Sequence, residues 1–293
     1  MFFRKSITRL MSVVKNSRRF VSVESEKHSD LKVELLSGSD RGIMVLGLDR
    51  LKGKNSFSKS FVQSLEDILE AVRYDKDVRA LVLRSHVPGV FCAGADLKER
   101  LQMTQTEVQM FVFRLRKLMV TLENTPVPVI AAINGAALGG GLEMALACDI
   151  RVATDKAKIG LVETKLAIIP GAGGTQRLTR IIGPSRAKEL IFTARVLSGS
   201  QAQEYGIVNH CVESKDGEDA AFEKALSIAR EIIPNGPIGV KMAKQAISKG
   251  IEVDLASGFA IEELCYAQVI PTKDRLEGLK AFQEKRTPVY TGS

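Results

Sequence analysis

The chain has 293 residues, 45% of them hydrophobic, with 42 Lys and Arg against 34 Asp and Glu for a net charge of +8. That length allows one large domain or two small ones around a sizeable buried core. With only His28, His86 and His210 as histidines, and Cys92, Cys148, Cys211 and Cys265 far from any metal spacing, the sequence excludes a zinc cluster. The absence of G-x-S-x-G and H-E-x-x-H likewise excludes the common histidine-assisted hydrolases. The cysteines read as reduced and structural.

The positive excess sits at the start. Arg4, Lys5, Arg9, Lys15, Arg18 and Arg19 occur before the first acid, Glu24, and removing these six charges from +8 leaves +2. Serines are interspersed, and Phe2, Phe3, Ile7, Leu10, Met11, Val13 and Val14 supply an apolar face, a pattern that predicts a mitochondrial transit peptide followed by a polar linker over residues 1–30. A matrix location follows. No uninterrupted apolar run follows the charges, which disfavours a secretory signal.

Beyond the linker, apolar runs at Ile43–Leu48, Ala80–Leu83 and Val129–Ile133 predict strands that alternate with helix-length segments, the pattern of an α/β domain. After Ser58, the spacing of Phe61, Leu65, Ile68, Leu69 and Val72 predicts an amphipathic helix. Thr104-x-x-Glu107 is a capping box that opens another, with Val108, Phe111, Val112, Leu115, Leu118 and Leu122 expected inward. From about Asp216 strand signals fade and helices dominate, Thr272 being a plausible N-cap for the last. The expected division is an α/β core over 31–235 and a helical module over 236–293.

Between Pro128 and Asp149 every residue is apolar or glycine except Asn134 and Glu143. A membrane span is disfavoured, because Gly139-Gly140-Gly141 would be a poor helix interior and Glu143 costly in lipid. The better parse is a strand, a turn at Asn134-Gly135, and a helix whose first turn lies in the glycines. Free amides at such a helix start suit an oxygen that is becoming negative. Glu143 is flanked by apolar residues, so burial should raise its pKa. From Ile159 to Gln176 the only charged residues are Glu163 and Lys165, and a second glycine-rich turn, Pro170-Gly-Ala-Gly-Gly174, follows. Two carboxylates sharing an apolar cleft cannot both ionise cheaply, which leaves one as acid and one as base. A glycosidase would use similar logic, but with no tryptophan and four tyrosines the chain has little to stack a sugar on. Neither a dinucleotide fingerprint nor a Walker A motif is complete.

Taken together, Phe91-Cys-Ala-Gly-Ala-Asp-Leu-Lys98, Ala137-Leu-Gly-Gly-Gly-Leu-Glu143, Ala147-Cys-Asp149 and Ile169-Pro-Gly-Ala-Gly-Gly-Thr-Gln-Arg177 resemble the crotonase superfamily of enoyl-CoA hydratases and isomerases, from about residue 32 to the end. Gly160–Pro170 and Ile270–Arg286 look most like the branch that hydrates 3-methylglutaconyl-CoA in leucine breakdown, a branch also known for binding AU-rich RNA. The resemblance implies a crotonase-type spiral of ββα units whose C-terminal helices mediate oligomerisation, as a trimer or a dimer of trimers. It implies that the amides of Ala95 and Gly140 form the oxyanion hole, that Glu143 activates water, that Glu163 delivers a proton to C2, and that the Gly171 amide helps place the water. Ala93, Asp96 and Leu97 would line the CoA path, and Lys52, Lys98 and Lys285, the last from a neighbouring subunit, would meet its phosphates. The acyl-CoA thioester is the substrate, with no cofactor and no metal. Possession of both glutamates favours a hydratase over an isomerase. One departure concerns RNA: where that branch repeats lysine at every fourth position, Lys59 is followed here by Gln63 and Asp67, with Glu66 and Glu70 nearby, so RNA binding is disfavoured.

Overall fold

A computed structural model of the chain describes residues 30–215 and 219–293. The expected transit peptide therefore lies outside the described residues. Among these, the strands are β1 (Leu31–Leu35), β2 (Ile43–Leu48), β3 (Ala80–Ser85), β4 (Val90–Cys92), β5 (Val129–Ile133), β6 (Ala136–Leu138), β7 (Ile150–Thr154), β8 (Lys158–Gly160), β9 (Leu197–Ser198) and β10 (His210–Val212). They form a six-stranded sheet in the order β1-β2-β3-β5-β7-β10 and a four-stranded sheet in the order β4-β6-β8-β9. Pairing is parallel except at β1–β2 and β8–β9.

The helices are α1 (Lys59–Tyr74), α2 (Leu97–Arg100), α3 (Gln105–Glu123), α4 (Gly140–Leu146), α5 (Gly174–Ile182), α6 (Pro184–Phe192), α7 (Gly199–Glu204), α8 (Ala220–Ile232), α9 (Pro237–Gly250), α10 (Leu255–Val269) and α11 (Lys273–Gln283). The chain steps from the large sheet to the small one and on to helix as β3–β4–α2, β5–β6–α4 and β7–β8–α5, which is the expected spiral of ββα units. Each step ends where a short strand of the small sheet stops.

The inner strands β2 and β5 of the large sheet are buried on both faces, which is why they read as continuous apolar runs rather than alternating ones. Met44, Leu46 and Leu48 of β2 pack into the main core with α1 and α3, while Ile43 and Val45 point the other way, against Ala225, Leu226 and Ala229 of α8. Helix α1 starts at its Ser58 cap and buries Phe61, Val62, Leu65, Ile68, Leu69 and Val72; α3 starts at the complete Thr104–Glu107 capping box. On α3 the buried set is Phe111, Leu115, Leu118, Met119 and Leu122, whereas Val108 and Val112, the latter beside Gly171, stay partly exposed. The lysine-poor stripe on α1 is internally paired: Gln63 donates to Asp67 at 2.9 Å, and Arg114 of α3 binds Glu66.

The segment Pro128–Asp149 contains β5, β6 and α4, and no helix among the described residues is long and apolar enough to cross a membrane. The expected turn at Asn134-Gly135 is a bend, and strand β6 adds to the sequence parse between that turn and the glycines. Helices α9–α11 bury only Met242, Cys265, Asp274 and Ala281 within the chain, while Ile247, Ile251, Leu255, Phe259, Leu264 and Phe282 are exposed. The tail after α11 folds back: Arg79 donates to the Tyr290 carbonyl at 2.7 Å, and Asp274 accepts from the amides of Thr291 and Gly292.

Candidate active site

Three parallel strands of the small sheet, β4, β6 and β8, end side by side, with Cys92 paired to Ala137 and Leu138 to Gly160. Ala95, Gly140 and Glu163 come directly after them. Residues far apart in sequence thus emerge at one sheet edge, outside the carboxyl ends of its strands, where α/β folds place ligand sites.

The two expected oxyanion amides adjoin each other. A bridge to Phe57 uses the carbonyl of Gly94 and the amide of Asp96, so the intervening Ala95 amide is turned away from that ladder. Gly140 is the first residue of α4, with Gly139 before it at φ 54. Among the described residues neither amide has an acceptor. Gly94, at φ 91, lies so close to this turn that a Cβ there would come 2.9 Å from the Leu138 carbonyl and 3.1 Å from the Gly140 nitrogen. The loop before Phe57 is fixed by Asn55, fully buried, whose amide group donates to Ser85 and to the Phe91 carbonyl and accepts from the Arg50 nitrogen.

Glu143, one turn into α4, is 3% exposed. Its Oε1 accepts from the amides of Ala172 at 2.8 Å and Gly174 at 2.7 Å, and its Oε2 has no partner among the described residues. Burial raises its pKa, opposed by those two amides and by the charges of Arg177 and Arg116. Glu163 opens a short 3-10 turn (Glu163–Leu166) and lies beside Gly139, where a Cβ would be 3.3 Å from its Oε1. Its Oε2 is buried with no hydrogen-bond partner. Burial, with a smaller push from the Glu143 charge, moves its pKa up to about 7. Glu143 is tethered by two amides of a neighbouring turn and Glu163 only by its own backbone, and they share a field. That is the asymmetry an acid and a base need.

Gly171 precedes these amides; its carbonyl accepts from Arg116, and its own amide has no acceptor among the described residues. The expected CoA-path residues lie together on one side: the Ala93 amide donates to the Lys54 carbonyl, which ties the Lys52 loop to the 93–98 segment. Ala93, Leu97, Lys52 and Lys98 are exposed there. The Asp96 carboxylate is already engaged, by Arg50 at 2.9 Å and as the N-cap of α2, and its backbone amide and carbonyl are bonded to Phe57 and Arg100. Lys285 sits beyond α11 at φ 54, exposed, with no side-chain bond to the Lys52 or Lys98 segments.

Residues 38–293 match the enoyl-CoA hydratase/isomerase family. The chain belongs to that family. It is 58% identical over 275 residues to human mitochondrial methylglutaconyl-CoA hydratase, covering 94% of this chain and 81% of that one. It is 54% identical over 264 residues to human mitochondrial enoyl-CoA hydratase domain-containing protein 2, covering 90% of each. A crystal structure of enoyl-CoA hydratase from Bacillus anthracis superposes with a TM-score of 0.85 at 48% identity, covering 90% of this chain and all of that one.

In this family member, sequence reasoning missed the arginines. Arg100, the last residue of α2, is half-buried against the Phe111 ring at 5.9 Å, and among the described residues it has no carboxylate partner. Burial lowers its pKa, and the Glu143 charge opposes that shift. Lys165, the other charged residue of the Ile159–Gln176 run, is exposed. The signal for Arg100 was its place one turn after Asp96, on the α2 that the Phe91–Lys98 motif opens.

Proposed function

We propose that this chain hydrates the 2,3-double bond of an enoyl-CoA thioester, converting 3-methylglutaconyl-CoA to 3-hydroxy-3-methylglutaryl-CoA in the mitochondrial matrix. The observation that carries the reading is the unequal pair: Glu143 held by two amides of a neighbouring turn with one oxygen open, and Glu163 half-buried, its Oε2 without a partner among the described residues, and raised to about 7. The mitochondrial location rests on the basic, acid-free start of the sequence and on the mitochondrial names of the human relatives.

The thioester oxygen sits between the Ala95 and Gly140 amides, where negative charge developing on it is stabilised by donors already in position. Water rests at the open Oε2 of Glu143, within reach of the Gly171 amide. Glu143 takes one of its protons as the oxygen bonds to C3, and the electrons of the double bond move into the thioester as an enolate. Glu163 then gives its proton to C2. The atoms of one water are added, Glu143 ends protonated and Glu163 ionised, and proton exchange restores the pair. No metal or cofactor takes part, and the CoA thioester is the substrate.

A 3-methylglutaconyl group carries a distal carboxylate, which is costly to leave unpaired in an apolar pocket. Arg100 is the group suited to receive it, being a half-buried guanidinium with no carboxylate partner among the described residues. Lys52 and Lys98 meet the CoA phosphates at the open side. The exposed apolar faces of α9–α11, the 236–293 module, are covered by neighbouring subunits in a trimer or a dimer of trimers, from which Lys285 reaches the phosphates of the adjacent site.

The test is turnover of purified protein on 3-methylglutaconyl-CoA and crotonyl-CoA. The reading expects a higher kcat/KM on the former. Preference for crotonyl-CoA overturns the substrate but keeps the hydratase, and absence of hydration on both overturns the function.

A further inference from the structure

The carboxylate of Glu143 is oriented by a loop, and the loop is itself gripped. The amide of Ala172 that donates to Glu143 belongs to the same planar peptide as the Gly171 carbonyl, and that carbonyl accepts from Arg116 Nε at 3.2 Å and Nη2 at 3.1 Å. Arginine, peptide and carboxylate therefore form one polarised chain of hydrogen bonds, in which each bond strengthens the next. The next carbonyl, that of Ala172, accepts from Arg177 Nη1 at 3.2 Å. The remaining edge of Arg177 forks onto Glu123, Nε to Oε1 at 3.2 Å and Nη2 to Oε2 at 2.8 Å.

Three of the groups that grip the loop come from one helix. Arg116 and Glu123 are on α3, as is Val112, whose Cγ1 would be 2.9 Å from a Cβ at Gly171. Arg177 crosses beneath the loop, 12% exposed, and a Cβ at Gly173 would fall 2.2 Å from its Nη1. Gly173 also has φ 110, so only glycine fits that point on both counts.

We propose that Arg116 and Arg177, the latter anchored by Glu123, are positioning residues that hold the loop 170–174 so that it presents Glu143 with one oxygen fixed and the other free. The proposal rests on the reading of Glu143 as the base. It goes beyond a structural role because the two cations also act on the charge of Glu143. The charged groups whose fields couple to it come from four elements: Arg100 ending α2, Arg116 on α3, Glu163 in the short turn and Arg177 on α5. Both Arg116 and Arg177 favour ionised Glu143, so deleting either cation makes the base lose its proton only at higher pH.

The experiment compares wild type, Arg116→Gln, Arg177→Lys, Glu123→Gln and Glu143→Gln, recording kcat, KM and the pH profile of hydration. Arg116 is exposed, so its substitution leaves the fold standing. Arg116→Gln is expected to lower kcat about 10-fold to 100-fold with KM little changed, and to move the acid limb of kcat/KM to higher pH. Arg177→Lys and Glu123→Gln are expected to lower kcat while leaving that limb nearer its wild-type position, since the cation remains. Wild-type kcat and limb in Arg116→Gln, with Glu143→Gln inactive, overturn the proposal alone. A loss of kcat in Arg116→Gln with the limb unmoved also overturns it. Full activity of Glu143→Gln overturns the assignment of the base beneath it.

Discussion

The amide nitrogen of Gly174 lies 2.7 Å from Oε1 of Glu143, joining two glycine-rich turns 31 residues apart. A second amide from the same turn, that of Ala172, reaches the same oxygen. The turn after Pro170 is thus a cradle for the first carboxylate, and the second carboxylate, Glu163, has no such cradle. On the proposed reading, the difference in their surroundings, rather than in their chemistry, divides the labour between them.

That difference predicts a pH dependence. Glu163 must carry a proton to deliver one, and its folded pKa is raised from 4.5 to about 7, so turnover should fall as pH rises through about 7. Stability has the same sign. The folded state holds this proton more tightly than the unfolded chain, so the contribution is complete below 4.5 and is lost as pH climbs to about 7. Thermal melts of wild type and Glu163→Gln across that window should show wild type losing ground to the variant as pH rises, and parallel curves would contradict the raised pKa.

Gly94 tests the oxyanion turn. A methyl group there would press on the Leu138 carbonyl and the Gly140 amide, at a φ of 91 that an L side chain rarely adopts. Gly94→Ala is expected to destabilise the fold by about 1–3 kcal/mol and to lower kcat by about 10-fold or more, because one hole-forming amide is displaced. Urea melts and steady-state kinetics measure the two effects, and a variant with wild-type kcat would mean that the Gly140 amide does not act on the substrate.

Much of this was legible in sequence. The strands Ile43–Leu48 and Val129–Ile133 stood out because both faces of the large sheet are buried, which makes their residues uniformly apolar. Glu143 was conspicuous as the lone charge in an apolar run, and the capping signals of Ser58, Thr104 and Thr272 all hold side-chain bonds. The short strands β6, β8 and β9 were not legible, since two or three residues carry no period; their pairing is dictated by neighbours distant in sequence. The arginines were hidden for a different reason. Arg100, Arg116 and Arg177 look like ordinary surface charges until the fold brings α2, α3 and α5 around Glu143.

Arg100 gives the substrate prediction a named contact. Arg100→Met should lower kcat/KM for 3-methylglutaconyl-CoA by about 100-fold, as expected for losing a charge-assisted pair in a half-buried site, and leave crotonyl-CoA hydration within a few-fold of wild type. Parallel losses on both substrates would show that Arg100 serves the reaction generally and does not read the distal carboxylate.

The most direct test of the two-glutamate account is single-turnover hydration by Glu143→Gln and Glu163→Gln, each nearly isosteric with the residue it replaces. With folding and CoA affinity checked to be unchanged, each variant is expected to react at least about 100-fold more slowly than wild type, because each loses one proton transfer. Hydration by either variant at close to the wild-type rate would contradict the account.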